Sequence, residues 1–289
     1  MYIIDKDNQQ REAYATRLVM LNPILREPVF TALDLGNLSW FVLEVDTQWT
    51  RRKPGDIDVL GGRLGWHNPT DVGLQLQRYQ QERPHVHPSW HERFAAMTIA
   101  EAGGIIWPPS MDYLAGVEVK CSHCENGVAR STKASSQKVA DIRQKIDGLF
   151  RLGLDRVVLL DIVAGPPSEG EGSEAWFTAM ASARMTLDKV SELLVARLPI
   201  DTLAGQLVWP VGAVGGGNEA MRGAGVPRIL RLAQENPFRD DVSAKRLALT
   251  EHLRNLLTTV AQPTTFPVIL LHCRSCKRVH APAWQCAAS

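Results

Sequence analysis

The segment from Val157 to Val163 most constrains the fold, because it is apolar apart from Asp161 and rich in β-branched residues. Such a run is typical of a strand buried on both faces of a sheet. Residues 135 to 152, just before it, carry apolar side chains at helical spacing, which predicts a helix that covers a sheet. The alternation of predicted strands and helices along the chain indicates a mixed α/β fold.

Two predicted strands carry charged residues at alternate positions. Asp56 and Asp58 lie in the first strand, and Glu118 and Lys120 lie in the second. Side chains two residues apart share a face of a strand, roughly 6.6 Å apart along the backbone. If the two strands pair, the carboxylates of Asp58 and Glu118 and the ammonium of Lys120 converge on one patch.

That patch suits the hydrolysis of phosphodiester bonds. Magnesium prefers hard oxygen ligands, takes one or two protein carboxylates and keeps several waters. The ion can activate a water and stabilise charge on the phosphate. We expect Asp58 and Glu118 to bind Mg²⁺ or Mn²⁺, with the Val119 carbonyl as a candidate third ligand, and Lys120 to hold or polarise the attacking water.

The segments Gly-Asp-Ile-Asp-Val-Leu (residues 55–60) and Val-Glu-Val-Lys (residues 117–120) resemble the catalytic core of the PD-(D/E)xK phosphodiesterases, the restriction-endonuclease-like superfamily. The resemblance extends over about residues 8 to 165, through the predicted helix and the strand that follows it. It implies a restriction-endonuclease-like mixed central sheet flanked by helices, DNA as the substrate and endonuclease activity.

The resemblance also implies roles for individual residues. Asp58, Glu118 and Lys120 match the three signature positions, and Gln137 or Lys138 matches an auxiliary active-site position on the helix. Glu12 is the nearest match to a glutamate that members often contribute from the first helix. A double-strand cut needs two active sites, which favours a homodimer.

Three alternatives remain open. The acids can be solvated residues at the ends of two ordinary strands. The chain can be a catalytically inactive protein of nuclease fold that binds nucleic acid or acts as a scaffold. It can also be a metal hydrolase of another kind, centred on His85, His87 and His91.

The overall charge of the chain does not indicate nucleic-acid binding, because the formal net charge is only +1. Cations near the predicted strands are more informative, since they can neutralise phosphates independently of base sequence. The candidate nucleic-acid contacts are Arg51, Arg52, Lys53, Lys133 and Lys138, and further cations such as Arg143 and Lys145 follow along the same helix.

The order of predicted elements gives a domain organisation. Residues 1–165 form a nuclease-like core with an insertion at about 61–110, and residues 173–289 form a C-terminal helical extension packed on the core. Within the extension, residues 207–211 and 268–271 predict strands and residues 242–261 predict a helix. Pro23 and Pro28 are expected to end the first helix. No apolar stretch approaches the roughly twenty residues that span a bilayer, so we expect a cytoplasmic protein with no membrane partner.

The five cysteines of the chain are spaced like metal ligands rather than like a disulfide framework. Zinc takes four thiolate or imidazole ligands in a tetrahedron, and a Cys-x-x-Cys turn presents two of them. The C-terminal residues Cys273, Cys276, His280 and Cys286 can form a structural Zn²⁺ site. Alternatively, Cys121 and Cys124 meet the C-terminal pair in the fold, or the cysteines are reduced buried or surface thiols without a metal.

Overall fold

The computed structural model describes the chain in separate stretches. The described residues are 16–17, 19–21, 23–33, 38–46, 56–63, 65–66, 74, 77–78, 80–82, 84–85, 105–125, 128–129, 135–164, 202–211, 228–238, 240–263, 267–273 and 276–282. For residues 121–125, 128–129 and 135–140, only the backbone is described.

Eleven strands occur in the described residues. They are β1 (Trp40–Val45), β2 (Ile57–Gly62), β3 (Gly65–Trp66), β4 (Ile105–Ile106), β5 (Leu114–Glu125), β6 (Val128–Ala129), β7 (Arg156–Ala164), β8 (Gly205–Val211), β9 (Arg228–Arg231), β10 (Val268–His272) and β11 (Val279–His280). The helices bounded in these ranges are α1 (Pro23–Ala32), α2 (Ser135–Arg151) and α3 (Ser243–Thr258), the last preceded by a 3₁₀ turn at Asp240–Val242.

The large sheet is mixed. Its strand order is β11-β10-β1-β2-β5-β7-β8-β9, with β6 paired to β5 off this path, while β3 and β4 form a separate small sheet. Strand β10 pairs in parallel with β1, β5 pairs in parallel with β7, and β7 pairs in parallel with β8. Strand β2 runs antiparallel to both β1 and β5 and therefore joins the two parallel groups. The α/β class expected from the sequence is confirmed.

Helices cover both faces of this sheet. On one face, Val117 and Val119 of β5 belong to a buried cluster with Val29 and Phe30 of α1. On the other face, Leu114 of β5 belongs to a second buried cluster that includes, from α2 and α3, Ile142, Ile146, Leu149, Leu249, Leu253 and Leu257. Because side chains alternate along a strand, Glu118 and Lys120 lie on the face that α2 and α3 cover.

The connection β5–α2–β7 positions the candidate site. Strands β5 and β7 pair in parallel from Ala115 opposite Arg156 to His123 opposite Ala164. Helix α2 returns the chain from the end of β5 to the start of β7, so the middle of the helix passes over the middle of β5. The sequence predicted both the helix and the strand β7, and the structure confirms them.

The first helix differs from the expectation. Pro28 was predicted to end a helix, but it lies inside α1, which runs from Pro23 to Ala32. Pro23 stands at the first helical position, where a missing N–H costs nothing. Beyond Pro28, Val29, Phe30 and Leu33 are all almost completely buried, and this packing outweighs the lost hydrogen bond.

The C-terminal half contributes strands to the same sheet. The strands expected near 207–211 and 268–271 are present as β8 and β10, and α3 matches the helix expected near 242–261. The sequence did not predict their pairing, in which β8 extends the sheet beyond β7 and β10 lies beside β1. No helix in the described ranges is long and apolar enough to cross a membrane.

A polar network joins this half to the turn between α2 and β7. Arg246 of α3 is buried, donates hydrogen bonds to the carbonyls of Gly153 and Met111 at 2.6 and 2.7 Å, and lies 3.1 Å from the Asp155 carboxylate. The Asn236 side chain donates to two further carbonyls of the same turn at 2.9 Å. Buried charges and carbonyls are thus satisfied by residues distant in sequence.

Candidate active site

Strands β2 and β5 separate at the residues that carry the candidate acids. Their ladder begins with Val59 opposite Val117 and runs to Gly62 opposite Leu114. Past Val117, the Val119 N–H donates instead to Asp58 Oδ2 at 2.7 Å. The Asp58 carboxylate therefore takes the place of a backbone partner and lies against β5 next to Glu118.

Glu118 is fully buried, and its two carboxylate oxygens contact two different ammonium groups. Lys120 Nζ lies 2.6 Å from Glu118 Oε1, and Lys145 Nζ lies 2.7 Å from Glu118 Oε2. Lys120 Nζ also donates to the Val119 carbonyl at 2.9 Å. Asp58, Glu118, Val119 and Lys120 are thus brought together in the structure, as the sequence predicted.

Lys145 of α2 also belongs to the site, although from the sequence it was placed only among the cations near the predicted nucleic-acid contacts. Its Nζ lies 3.9 Å from Asp58 Oδ1 as well as 2.7 Å from Glu118 Oε2, so one cation bridges both carboxylates. The sequence contained only a weak indication that Lys145 belongs to the site. Lys145 lies seven residues after Lys138, hence on the same stripe of the helix as the residue matched by resemblance.

The environment of Glu118 favours its neutral form. Burial, and then the negative charge of Asp58, raise the pKa of Glu118 from 4.5 to about 7, while Lys120 and Lys145 oppose the rise. A carboxyl group buried beside another carboxylate is stable as an anion only when cations lie next to it. The site therefore demands positive charge, which two lysines supply in this structure.

The donor set fits a hard divalent ion. Asp58 and Glu118 offer carboxylate oxygens that both contact one ammonium, Lys145 Nζ, at 3.9 and 2.7 Å. Val119 adds a carbonyl oxygen on the same side of β5. Oxygen ligands of this kind, few in number and leaving room for water, suit Mg²⁺.

Two features beside the site were not predicted. Asp161 of β7 is fully buried and is in register with Lys120, on the sheet face that carries Glu118. Glu44 of β1 has a left-handed backbone with φ of 56° where β1 passes Asp58, and its carboxylate lies 2.8 Å from Arg17. A non-glycine residue in this conformation stores backbone strain, which is common near functional sites.

Most of the remaining residues predicted from the sequence lie outside the part of the chain that the structure describes. Gln137 and Lys138 belong to the first turn of α2, and their side chains lie outside the described part of the chain. The same holds for the other predicted contacts, which are Glu12, Arg51, Arg52, Lys53 and Lys133. Of the histidine group, His85 is an exposed turn residue, and His87 and His91 lie outside the described residues.

A separate group of metal-ligating side chains lies at the turn between β10 and β11. One ligand atom from each of Cys273, Cys276 and His280 falls within 4.8 Å of the other two, so these three residues can hold a metal ion. The turn is closed by the Lys277 N–H, which donates to the Cys273 carbonyl at 2.8 Å, and Lys277 adopts a left-handed φ of 57°. Neither cysteine forms a disulfide bond within the described part of the chain.

The structure does not describe the fourth predicted ligand or the side chains of the alternative pair. Cys286 is outside the described residues, as are the side chains of Cys121 and Cys124. Strand β5, which contains the alternative pair, is three strand positions from β10. That separation corresponds to about 14 Å between the strands.

Comparison with protein-family models, curated proteins and solved structures finds no match to this chain.

Proposed function

We propose that this protein is a divalent-metal-dependent nuclease that hydrolyses phosphodiester bonds. The observation that carries the proposal is the buried Glu118 carboxylate, which shares the Lys145 ammonium with Asp58 and contacts a second cation, Lys120. Two carboxylates and a lysine in this arrangement are the groups that metal-assisted hydrolysis requires, and they serve no evident packing role.

Each residue has a task that follows from its contacts. Asp58 and Glu118 would hold the ion, with Asp58 oriented by the Val119 N–H at 2.7 Å. Mg²⁺ bound there supplies a Lewis acid for a phosphate oxygen and lowers the pKa of a bound water. Lys120 is held between Glu118 and the Val119 carbonyl, so its ammonium is positioned to orient a water beside the ion. The Val119 carbonyl would serve as a further oxygen ligand.

DNA as the substrate, and endonuclease activity, rest on the resemblance to the restriction-endonuclease-like superfamily. A double-strand cut by such a site requires two copies, so we propose a homodimer as the species that cuts both strands. The competing proposal is a nucleic-acid-binding or scaffold protein of the same fold without turnover. It predicts that the chain binds DNA but leaves it intact in the presence of Mg²⁺.

The test is the nicking of supercoiled plasmid by the purified chain with Mg²⁺ and with EDTA. We expect cleavage with Mg²⁺ only, and a loss of at least about 100-fold in rate for Lys120→Met and for Asp58→Asn. The matched control is Lys245→Met, which removes an exposed lysine of α3 and should cleave normally.

Two results would contradict the proposal. The first is DNA that stays intact at every Mg²⁺ and Mn²⁺ concentration although the chain binds it, which would favour the scaffold. The second is full activity in Asp58→Asn or Lys120→Met, which would assign the cleavage to another residue set or to a contaminant.

We also propose that Zn²⁺ is bound at the β10–β11 turn by Cys273, Cys276 and His280, with Cys286 as the fourth ligand. His280 Nδ1 lies 2.7 Å from the Ala281 carbonyl, and His280 Nε2 is buried without a hydrogen-bond partner among the described residues. A zinc-ligating histidine typically donates one ring N–H to a carbonyl and offers the other nitrogen to the ion. Thiolate and imidazole ligands at this spacing favour zinc over magnesium.

A further inference from the structure

Lys145 differs from Lys120 in how firmly its ammonium is held. Lys120 Nζ has a second anchor on the backbone, the Val119 carbonyl at 2.9 Å, beside its contact with Glu118. Among the described residues, Lys145 Nζ contacts the carboxylates of Glu118 and Asp58 and no other group. Its side chain is 22% exposed, so a path to solvent is open.

Lys145 Nζ contacts both carboxylates that would hold a shared metal ion. It lies 2.7 Å from Glu118 Oε2 and 3.9 Å from Asp58 Oδ1. Magnesium sits about 2.1 Å from its oxygen ligands. An ion held that closely by the same carboxylates competes with the ammonium for their negative charge and repels it.

We infer that Lys145 is an exchangeable counterion of the metal site, which neutralises the Asp58–Glu118 pair in the metal-free chain and moves to the substrate phosphate when a divalent ion binds. This inference rests on the proposed nuclease function. Lys145 is the residue that leaves, because within the described part of the chain its ammonium contacts only the proposed ligands, whereas Lys120 is also anchored to the backbone of β5.

The length of the Lys145 side chain limits how far its displaced ammonium can move. The Lys145 side chain is a flexible four-carbon stem on a helix that the buried residues Ile142, Ile146 and Leu149 fix to the sheet. The displaced ammonium therefore stays within a side-chain length of the ion. A phosphate bound to that ion would carry the nearest uncompensated negative charge, and lysine is a common phosphate ligand.

The first test uses the native chain and Mg²⁺ alone, without DNA. An amine-reactive reagent is applied with and without Mg²⁺, and labelling is read residue by residue by mass spectrometry. We expect Mg²⁺ to increase the labelling of Lys145 several-fold and to leave Lys120 and the exposed Lys245 unchanged. Equal labelling of Lys145 in both conditions would overturn the inference.

The second test compares Mg²⁺ affinities by calorimetry, at about pH 8.5 so that the carboxylates are ionised in every variant. Lys145→Met has no ammonium to displace, so we expect it to bind Mg²⁺ at least about 10-fold more tightly than the native chain. Lys145→Arg keeps the charge and should show no such gain. Unchanged or weaker binding by a folded Lys145→Met would contradict the inference.

Cleavage kinetics complete the design. We expect Lys145→Met to bind the ion better but to show a higher KM for DNA, a combination that a merely structural role would not produce. The inference and the proposed function fail separately. A native chain that neither binds Mg²⁺ nor cleaves DNA overturns both, whereas a native chain that does both while Lys145→Met gains no affinity overturns the inference alone.

Discussion

The buried carboxyl group of Glu118 links the chemistry of the site to the stability of the fold. Its pKa is raised from 4.5 to about 7, first by burial and then by Asp58. The folded chain therefore binds a proton more tightly than the unfolded chain does. That preference stabilises the fold fully below about pH 4.5 and is lost as the pH rises through about 7, a change of about 3 kcal/mol.

The metal-free chain should show this dependence in its free energy of unfolding. We expect the native chain to lose up to about 3 kcal/mol relative to Glu118→Gln between about pH 4.5 and 7, because the variant has no proton to release there. The measurement is urea unfolding in EDTA across that range. Asp147→Asn, which neutralises an exposed carboxylate of α2, is the control and should follow the native curve. A constant difference between native and Glu118→Gln would contradict the prediction.

Strand residues of the site could be predicted from the sequence, whereas the helix residue could not. A period of two places Glu118 and Lys120 on one face without any knowledge of the neighbours. Lys145 lies beside the buried stripe of α2, about 40–60° from Ile142 and Leu149 on a helical wheel. The position of Lys145 on the helical wheel does not show whether its side chain faces the separated strands or solvent. That depends on how α2 is oriented on the sheet.

Secondary-structure elements were predicted better than their junctions. The long amphipathic helix α2 and the apolar strand β7 carry strong periodic signals, and both were found with nearly the expected bounds. The sequence did not predict that Pro28 lies inside α1. Proline by itself favours a helix end, and the packing that opposes this preference cannot be read from the sequence. The separation of β2 from β5 beyond the Val59–Val117 pair, at Asp58 and Glu118, was also unpredictable, since it depends on strand register.

The β10–β11 turn is an element whose stability should depend on zinc. We expect the purified chain to contain about one zinc per chain, and Cys276→Ser to lose it. Since an ion that binds only the folded state stabilises it by mass action, the native chain should gain about 4 kcal/mol when free zinc is about 1,000 times the Kd. Zinc content by atomic absorption and urea unfolding with and without a chelator measure both effects.

Two further serine variants assign the fourth ligand. Cys286→Ser should release zinc if the C-terminal set is complete, while Cys124→Ser on β5 should leave zinc unchanged. The reverse result would support a site formed by the two Cys-x-x-Cys pairs. A chain that contains no zinc after purification and gains no stability from added zinc would contradict the site altogether.

At the scale of the whole molecule, the sheet order depends on contacts between distant parts of the sequence. Strand β10 lies beside β1, with Val268 opposite Trp40, and β8 lies beside β7, with Val158 opposite Gly205. Hydrophobic periodicity identifies such strands but does not choose their neighbours. The α/β class could therefore be predicted, whereas the insertion of C-terminal strands at both ends of the N-terminal part could not.

These pairings predict how the chain responds to division. A fragment of residues 1–165 contains every residue of the proposed active site, but it turns β7 into an edge strand that lacks its partner β8. It also removes Arg246 from the buried Asp155 and Asn236 from the carbonyls of Phe150 and Leu154. A buried charge that loses its partner costs about 3–5 kcal/mol by itself, which is a large share of the stability of a typical domain.

We therefore expect the 1–165 fragment to show no cooperative urea transition and poor dispersion in its amide NMR spectrum, while the full chain shows both features of a folded protein. Mixing the fragment with a second fragment of residues 166–289 should restore a cooperative transition, because the missing strands and the Arg246 contacts are then supplied in trans. A 1–165 fragment that unfolds cooperatively by itself would mean that β8, β10 and α3 are additions to an independent core, and the Asp155–Arg246 contact would then contribute little to stability.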